Sequence, residues 1–406
     1  MTSPTAATAR DHRASDPTRV SARHFTLAVL ALATGGFAIG TTEFVTMGLL
    51  PEIAGGVGVS IPTGGHVISA YALGVVLGAP LLAFLGARLP RRGVLVGLMA
   101  GFAVANAATA LATSYEWLFV ARFVSGMPHG AYFGVASLVG AAMAPPGRKG
   151  RAVAAVMLGL SFANVVGVPA ATLLGQEVGW RAAFWTVAAL GILTLALVLA
   201  FVPSCPGDAG ASGRTELRAL RVPQVWLTLL IGAVGFGGMF AVYSYIAPVV
   251  VEVGGLSARS VSVFLLAFGL GMVAGTWVAG RLADWSVMRS MVIGMAGTSA
   301  TMVAFWLTAP HGWAALPVVF MITVLSSVLV VNLQLRLMDV AGDAQTLGAA
   351  MNHASLNAAN ALGAWAGGLV IAAGWGLRAP ALVGLALSLA GLGVLALSIA
   401  LARRGR

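Results

Sequence analysis

Apolar residues in this chain fall into long runs, and the polar positions collect in short breaks between them. Twelve runs can be traced, at roughly residues 24–50, 66–87, 94–112, 117–143, 152–174, 182–202, 223–250, 259–282, 290–309, 314–337, 347–372 and 379–402. About 20 helical residues are enough to cross the hydrocarbon core of a bilayer, and these runs have that length. The pattern predicts an all-α membrane protein with twelve transmembrane helices. Residues 1–23 are polar and rich in Ser, Thr, Ala and Arg, which predicts a disordered tail. They do not read as a signal peptide, because the apolar run after them is too long.

Composition agrees with the pattern. The chain is 59% hydrophobic and only 9% charged, against roughly 25% charged in a soluble domain. The net charge of +11 would suit nucleic acid if it formed one basic face. Here the charges are dispersed among the breaks, so no nucleic-acid partner is expected. Three breaks on one side hold single arginines, Arg181, Arg259 and Arg378, while Arg122 lies within a run. Every other Lys and Arg falls on the opposite side, in the tails, in breaks or, for Arg281 and Arg336, at the edge of a run. That asymmetry predicts both termini in the cytoplasm and an even number of spans. Cys205 is alone, so no internal disulfide is available, and no Cys/His spacing suggests a metal site.

The chain also repeats. Gly74, Gly78 and Arg88 stand opposite Gly271, Gly275 and Trp285, and at nearly the same offset Asn164 and Gly167 stand opposite Asn360 and Gly363. Internal repeats of this kind mark secondary transporters, with a site near mid-membrane where the repeats meet. The organisation expected is a bundle over 24–202, a cytoplasmic linker over 203–222, a second bundle over 223–402 and a short tail at 403–406. No phosphate-binding loop is present, so an ion gradient or the solute's own gradient is the expected energy source. No cofactor is expected, and neither HExxH nor GxSxG is present to suggest an enzyme.

Against this apolar background a few groups stand out. Glu43, within FAIGTTEFVTMGLLP (37–51), is the one acid at depth in a run. An ionisable group in lipid is costly and by default functional, although a neutral carboxyl bonded to a neighbouring helix is the alternative. Glu43 lies roughly 9 Å outward of its helix midpoint, and Arg122 roughly 8 Å inward from the outer end of its own helix. The two therefore sit at similar depths. His129 follows Arg122 by seven residues and shares its face, which suits either proton relay or a structural histidine. Phe236, Phe240, Tyr243 and Ala247 follow one face of the seventh run, as a substrate wall or as core packing. His353, Asn357 and Asn360, with Asn352 nearby, form a polar face on the eleventh, suited to substrate or to helix-to-helix bonds. Small residues at Gly159, Ala163, Gly167 and Ala171 form a flat stripe for close helix packing, and Pro169 can bend that helix.

Four stretches carry a family resemblance over essentially the full length. They are GTTEFVTMGLLPEIA (Gly40–Ala54), LFVARFVSGMPHG (Leu118–Gly130), GLSFANVVGVPAATLLG (Gly159–Gly175) and the breaks after the second run of each half. The chain resembles the major facilitator superfamily, and within it the twelve-helix drug:proton antiporters of the arabinose-efflux and chloramphenicol-efflux branch. The resemblance implies two pseudo-symmetric six-helix bundles and a monomer in the bacterial inner membrane. It implies a proton-coupled exporter of small, partly apolar compounds, with phenicol-type antibiotics the most specific guess. A sugar or arabinose exporter is the alternative, and a non-transport membrane protein a remote one. It makes Glu43 a proton or cation site, Arg122 a proton-coupling residue, and Gly159, Ala163, Asn164, Gly167, Pro169 and Gly175 a leak-resisting antiporter helix. Gating is implied for Gly280, Arg281 and Asp284 in the second half. In the first half the corresponding loop carries Arg88, Arg91 and Arg92, but Ala83 and Ala87 replace the usual Gly and Asp. Ser125 stands where a glutamine is common.

Overall fold

The computed structural model describes residues 22–86, 88–145, 149–204, 221–341 and 345–404. Most of the expected tail and linker, with Cys205, Ala87, Arg148 and Arg406, lies outside them. In a bilayer every backbone N–H and C=O must be satisfied within the protein, and helices do this segment by segment. The spans among the described residues are α1 (Ala22–Gly48), α2 (Ile61–Gly86), α3 (Arg91–Ala110), α4 (Tyr115–Met143), α5 (149–178), α6 (Trp180–Phe201) and α7 (223–253). One helical run, Ser260–Thr308, turns back at Ser286 and supplies α8 and α9. Then follow α10 (Ala315–Ala341), α11 (Gln345–Ala372) and α12 (Ala379–Arg404). A short helix, Leu50–Gly56, extends α1 at its outer end.

Eight of these stretches are long and apolar enough on their own to cross a membrane, and one of the eight, Ser260–Val340, contains three passes. The two spans outside that set are α4 and α11. They carry Arg122 and His129, and His353, Asn357 and Asn360, so the least apolar helices are those that bring polar groups into the bundle.

The repeat is visible in how backbones approach. At Gly74 and Gly78 of α2 a side chain would collide with the α4 backbone at Phe123 and Met127. At Gly271 and Gly275 of α8 it would collide with the α10 backbone at Phe320 and Val324. Likewise Gly159 of α5 presses on α1 at Ala33, and Gly363 of α11 on α7 at Gly237. Without a hydrophobic drive between helices in lipid, such close approach is a main source of association. The buried side chains sort accordingly. Phe102, Tyr132 and Val187 belong to a cluster drawn from α1–α6. A larger cluster is built mostly from α7–α12, with Phe44, Met47, Leu50, Ile68 and Val168 reaching into it from the first half. The molecule is thus two related six-helix bundles.

Two helices depart from simple periodicity. In α5 a π-turn at Ala163–Gly167 precedes Pro169, where the proline lacks the N–H needed for a regular turn. In α7, π-turns occupy Ile231–Gly235 and Val249–Val253, and the helix breaks at Ser244–Tyr245 ahead of Pro248. That break separates Ala247 from the register of Phe236, Phe240 and Tyr243.

Candidate functional site

Three of the expected residues meet between α1, α2 and α4. Arg122 is fully buried on α4. Its Nη1 donates to Thr42 Oγ1 at 3.0 Å and its Nη2 to the Thr42 carbonyl at 3.1 Å. The guanidinium lies over the ring of Tyr71, 4.4 Å from its centroid, and 5.4 Å from that of Phe184. Thr42 in turn donates to Asn106 Oδ1 on α3 at 2.5 Å, and Asn106 Nδ2 donates to the Phe102 carbonyl. Arg122 is therefore held to the residue before Glu43, not to Glu43 itself, and its Nε has no partner.

Glu43 is 5% exposed. Its Oε2 lies 3.9 Å from His129 Nδ1, and the same Nδ1 is 3.2 Å from the Tyr71 hydroxyl. His129 Nδ1 can accept from Tyr71 or donate to Glu43, but not both at once. Across the gap between bundles, Asn360 of α11 lies beside Glu43, yet neither atom of its amide meets hydrogen-bond geometry. A turn or two away on the same helix, the His353 ring stacks on Phe133, with centroids 6.1 Å apart and planes 4° from parallel. Asn357 Nδ2 is used on the His353 carbonyl, which leaves its Oδ1 unpaired.

Immediately after Glu43, Phe44 points into the second bundle. It stacks on Phe240 at 6.5 Å, meets Tyr243 edge-on at 5.7 Å and contacts Phe268, itself stacked on Tyr243 at 3.6 Å. Phe236 closes this group against Phe240. Two consecutive residues of α1 thus face an ionisable cluster on one side and an aromatic one on the other.

The α5 stripe faces two ways. Gly159 and Gly167 back onto α1 at Ala33 and Thr41, Gly175 onto Leu49 just beyond it, and Ala163 onto Gly40. The Pro169 carbonyl accepts from Ser262 of α8 at 3.2 Å. Asn164 is buried, its Nδ2 bonded to the Leu160 carbonyl, while its own backbone carbonyl lies against Gly269. Cross-bundle bonds continue outward with Gln176 Nε2 to the Ala258 carbonyl, an Arg259–Glu177 ion pair at 2.8 Å, and Ser69 to the Ala361 carbonyl. These bonds from Ser69, Gln176, Glu177 and Ser262 all join the bundles in the half away from the arginine-rich breaks, and they close that half.

The gating-loop residues are arranged differently. Arg92 donates to the Leu199 carbonyl and Arg88 is exposed. Arg281 lies over the Trp277 ring, and Asp284 is exposed with no ion pair among the described residues.

Sequence reasoning missed Thr42, Tyr71, Asn106, Phe44 and Phe268. Signals existed for two of them. Asn106 is the one amide in α3, and Phe44 adjoins Glu43.

Comparison with known proteins adds to this geometry. Residues 32–352 match the family described as the Major Facilitator Superfamily. The chain is 40% identical over 348 residues to the inner membrane transport protein YdhP of Escherichia coli (strain K12), covering 86% of this chain and 90% of that one. It is 37% identical over 350 residues to a chloramphenicol resistance protein of Streptomyces lividans, covering 85% and 88%. Its fold is similar to that of a D-xylose-proton symporter, with a TM-score of 0.73 at 16% identity, over 91% of this chain and 97% of that one.

Proposed function

This chain belongs to the Major Facilitator Superfamily, is a multi-pass membrane transporter, and on that footing we propose that it is a proton-coupled exporter of small, partly apolar compounds, with phenicol-type antibiotics the most specific candidate class. The observation that carries the reading is the meeting of Glu43, His129 and Tyr71 in a buried pocket beside a fixed cation, Arg122.

Arg122 stays positive and stationary, tied to Thr42 and covered by Tyr71 and Phe184. Its field favours the ionised form of Glu43, while a dry environment favours the neutral one. Small changes in packing around Glu43 then decide whether it holds a proton. Asn360 has both a donor and an acceptor to spare, so it can bond Glu43 in either protonation state from the opposite bundle. Movement of α11 against α1 thereby becomes a change in proton affinity. A solute resting on the aromatic group of Phe44, Phe236, Phe240, Tyr243 and Phe268 separates the same two bundles. Proton and solute compete for one arrangement, which is antiport. The resemblance to a chloramphenicol resistance protein supports the phenicol class, and flat aromatic walls suit such solutes. Both termini are read as cytoplasmic and the unit as a monomer.

The test is a susceptibility panel in an efflux-deficient host, with and without an uncoupler. Protection against phenicols that vanishes when the gradient collapses supports the reading. Protection that persists under the uncoupler contradicts proton coupling, and protection against sugars alone contradicts the substrate class.

A further inference from the structure

Four arginine–tryptophan pairs mark the ends of the bundle, and they are not alike. At the closed end, Arg181 lies over Trp180 and Arg378 over Trp306. Both arginines are half-buried and both spend donors on carbonyls: Arg181 Nη2 on Ala112 at 2.8 Å and Arg378 Nη1 on Trp306 at 3.5 Å. At the opposite end, Arg281 lies 3.3 Å over Trp277 and Arg289 5.1 Å over Trp285. These arginines are exposed, and among the described residues neither guanidinium makes a hydrogen bond or an ion pair. Trp277 and Trp285 are 64% and 58% exposed, so each ring offers one face to its arginine and the rest to the surroundings.

Trp277, Arg281, Trp285 and Arg289 are each four residues apart across the α8–α9 junction, and the junction is firmly built. Ser286 leaves helical geometry and its Oγ accepts the Arg289 backbone N–H, as an N-cap for α9. The Ser290 hydroxyl reaches the carbonyls of both Leu282 and Ser286 at 2.7 Å, tying the end of α8 to the start of α9. Tryptophan settles at the headgroup level of a bilayer, where an amphipathic ring is at home. A guanidinium stacked on such a ring keeps its N–H edge free, with the fork geometry that matches phosphate oxygens. Asp284, exposed between the two arginines, offsets one of their charges and leaves the patch net positive.

We propose that Trp277, Arg281, Trp285 and Arg289 form a binding site for the headgroup phosphate of an anionic phospholipid, with phosphatidylglycerol as the representative ligand. The rings set the depth and the two guanidinium groups supply the bonds. The site lies at the end where the bundles must close when the other end opens, so an occupied headgroup would bear on the α8–α9 turn.

The test uses the full chain in nanodiscs of phosphatidylcholine carrying a fixed fraction of phosphatidylglycerol, with lipid retained by the protein counted by native mass spectrometry. Wild type is expected to enrich phosphatidylglycerol over phosphatidylcholine. The double variant R281Q/R289Q is expected to lose about fivefold in preference per arginine. R281K/R289K keeps the charge but not the fork and is expected to fall between wild type and R281Q/R289Q, while an unchanged Tm in pure phosphatidylcholine guards against a folding defect. R378Q, at the opposite end, is expected to enrich as wild type does. Absence of enrichment in wild type overturns the proposal, as does equal enrichment in R281Q/R289Q or an equal loss in R378Q. Displacement of the lipid by soluble glycerophosphoglycerol at matching concentration would overturn the assignment to a membrane lipid.

Discussion

The two bundles share a frame and differ in what they carry at its centre. Applying the offset that relates Gly74 to Gly271, the position opposite Glu43 is Phe240 and the position opposite Arg122 is Val319. One bundle places an acid, a base and a histidine where the other places a phenyl ring, an aliphatic side chain and, at Ser326, a hydroxyl. The close crossings that hold α2 to α4 and α8 to α10 are nevertheless alike. Fold and chemistry are therefore written at different positions of the repeat: small residues set the frame in both halves, and the central faces have diverged into a charged side and an aromatic side. Under the proposed function this is a division of labour, with protons handled in the first bundle and an apolar solute resting against the second.

That comparison can be broken most severely at its shared part. Gly74→Leu and Gly271→Leu each force a side chain into a neighbouring backbone and are expected to cost about 3 kcal/mol or more. Both should lower the Tm of the purified protein, whereas Gly97→Ala, in open space, should leave it nearly unchanged. Equal tolerance at all three glycines would show that the crossings are not what holds each bundle.

Next come effects confined to one bundle. Asn106→Leu removes the acceptor for the Thr42 hydroxyl and leaves a buried polar group unpaired, at about 1–3 kcal/mol. The Thr42 hydroxyl is freed to turn and holds Arg122 less firmly, so gradient-driven efflux should fall roughly tenfold, with the pH dependence of transport displaced while solute binding is kept. Phe240→Ala should do the reverse. It takes away a stacked ring and should weaken solute binding by roughly tenfold, with the pH dependence unchanged. If either variant moved both readouts equally, the division would fail. The smallest effect is expected at the closed end, where Glu177 and Arg259 pair in the open at 51% and 73% exposure. Glu177→Gln should change transport rate or Tm only slightly, since exposed pairs contribute about 0–1 kcal/mol.

Much of this frame was legible in the residues. Apolar runs long enough to span a bilayer have few alternatives, and the Gly74/Gly271 offset anticipated crossings that the structure contains. Boundaries were harder. The first turn of α2 begins at Ile61, five residues before the run expected at 66, because a sequence with Pro62 and Thr63 reads as a loop although proline is well tolerated in a first helical turn. The periodicity that placed Ala247 with Phe236, Phe240 and Tyr243 ignored the break at Ser244–Tyr245, although Pro248 announces it by lacking the N–H that would bond the Ser244 carbonyl. At the site, Glu43 and Arg122 stood out because ionisable groups are rare in lipid. Their partners did not. Threonine fits an apolar helix without comment, and the choice of Thr42 over Glu43 as the anchor for Arg122 depends on helix rotation. Likewise Phe44 and Phe268 are ordinary apolar residues until two bundles bring them together.

The account rests on competition between a proton on Glu43 and a solute on the aromatic wall. Its most direct measurement is the pH change when a phenicol is added to the purified protein in weakly buffered solution. Wild type should release protons on binding, and Glu43→Gln should bind the compound without releasing any. Equal release by both proteins would contradict the claim that Glu43 carries the exchanged proton.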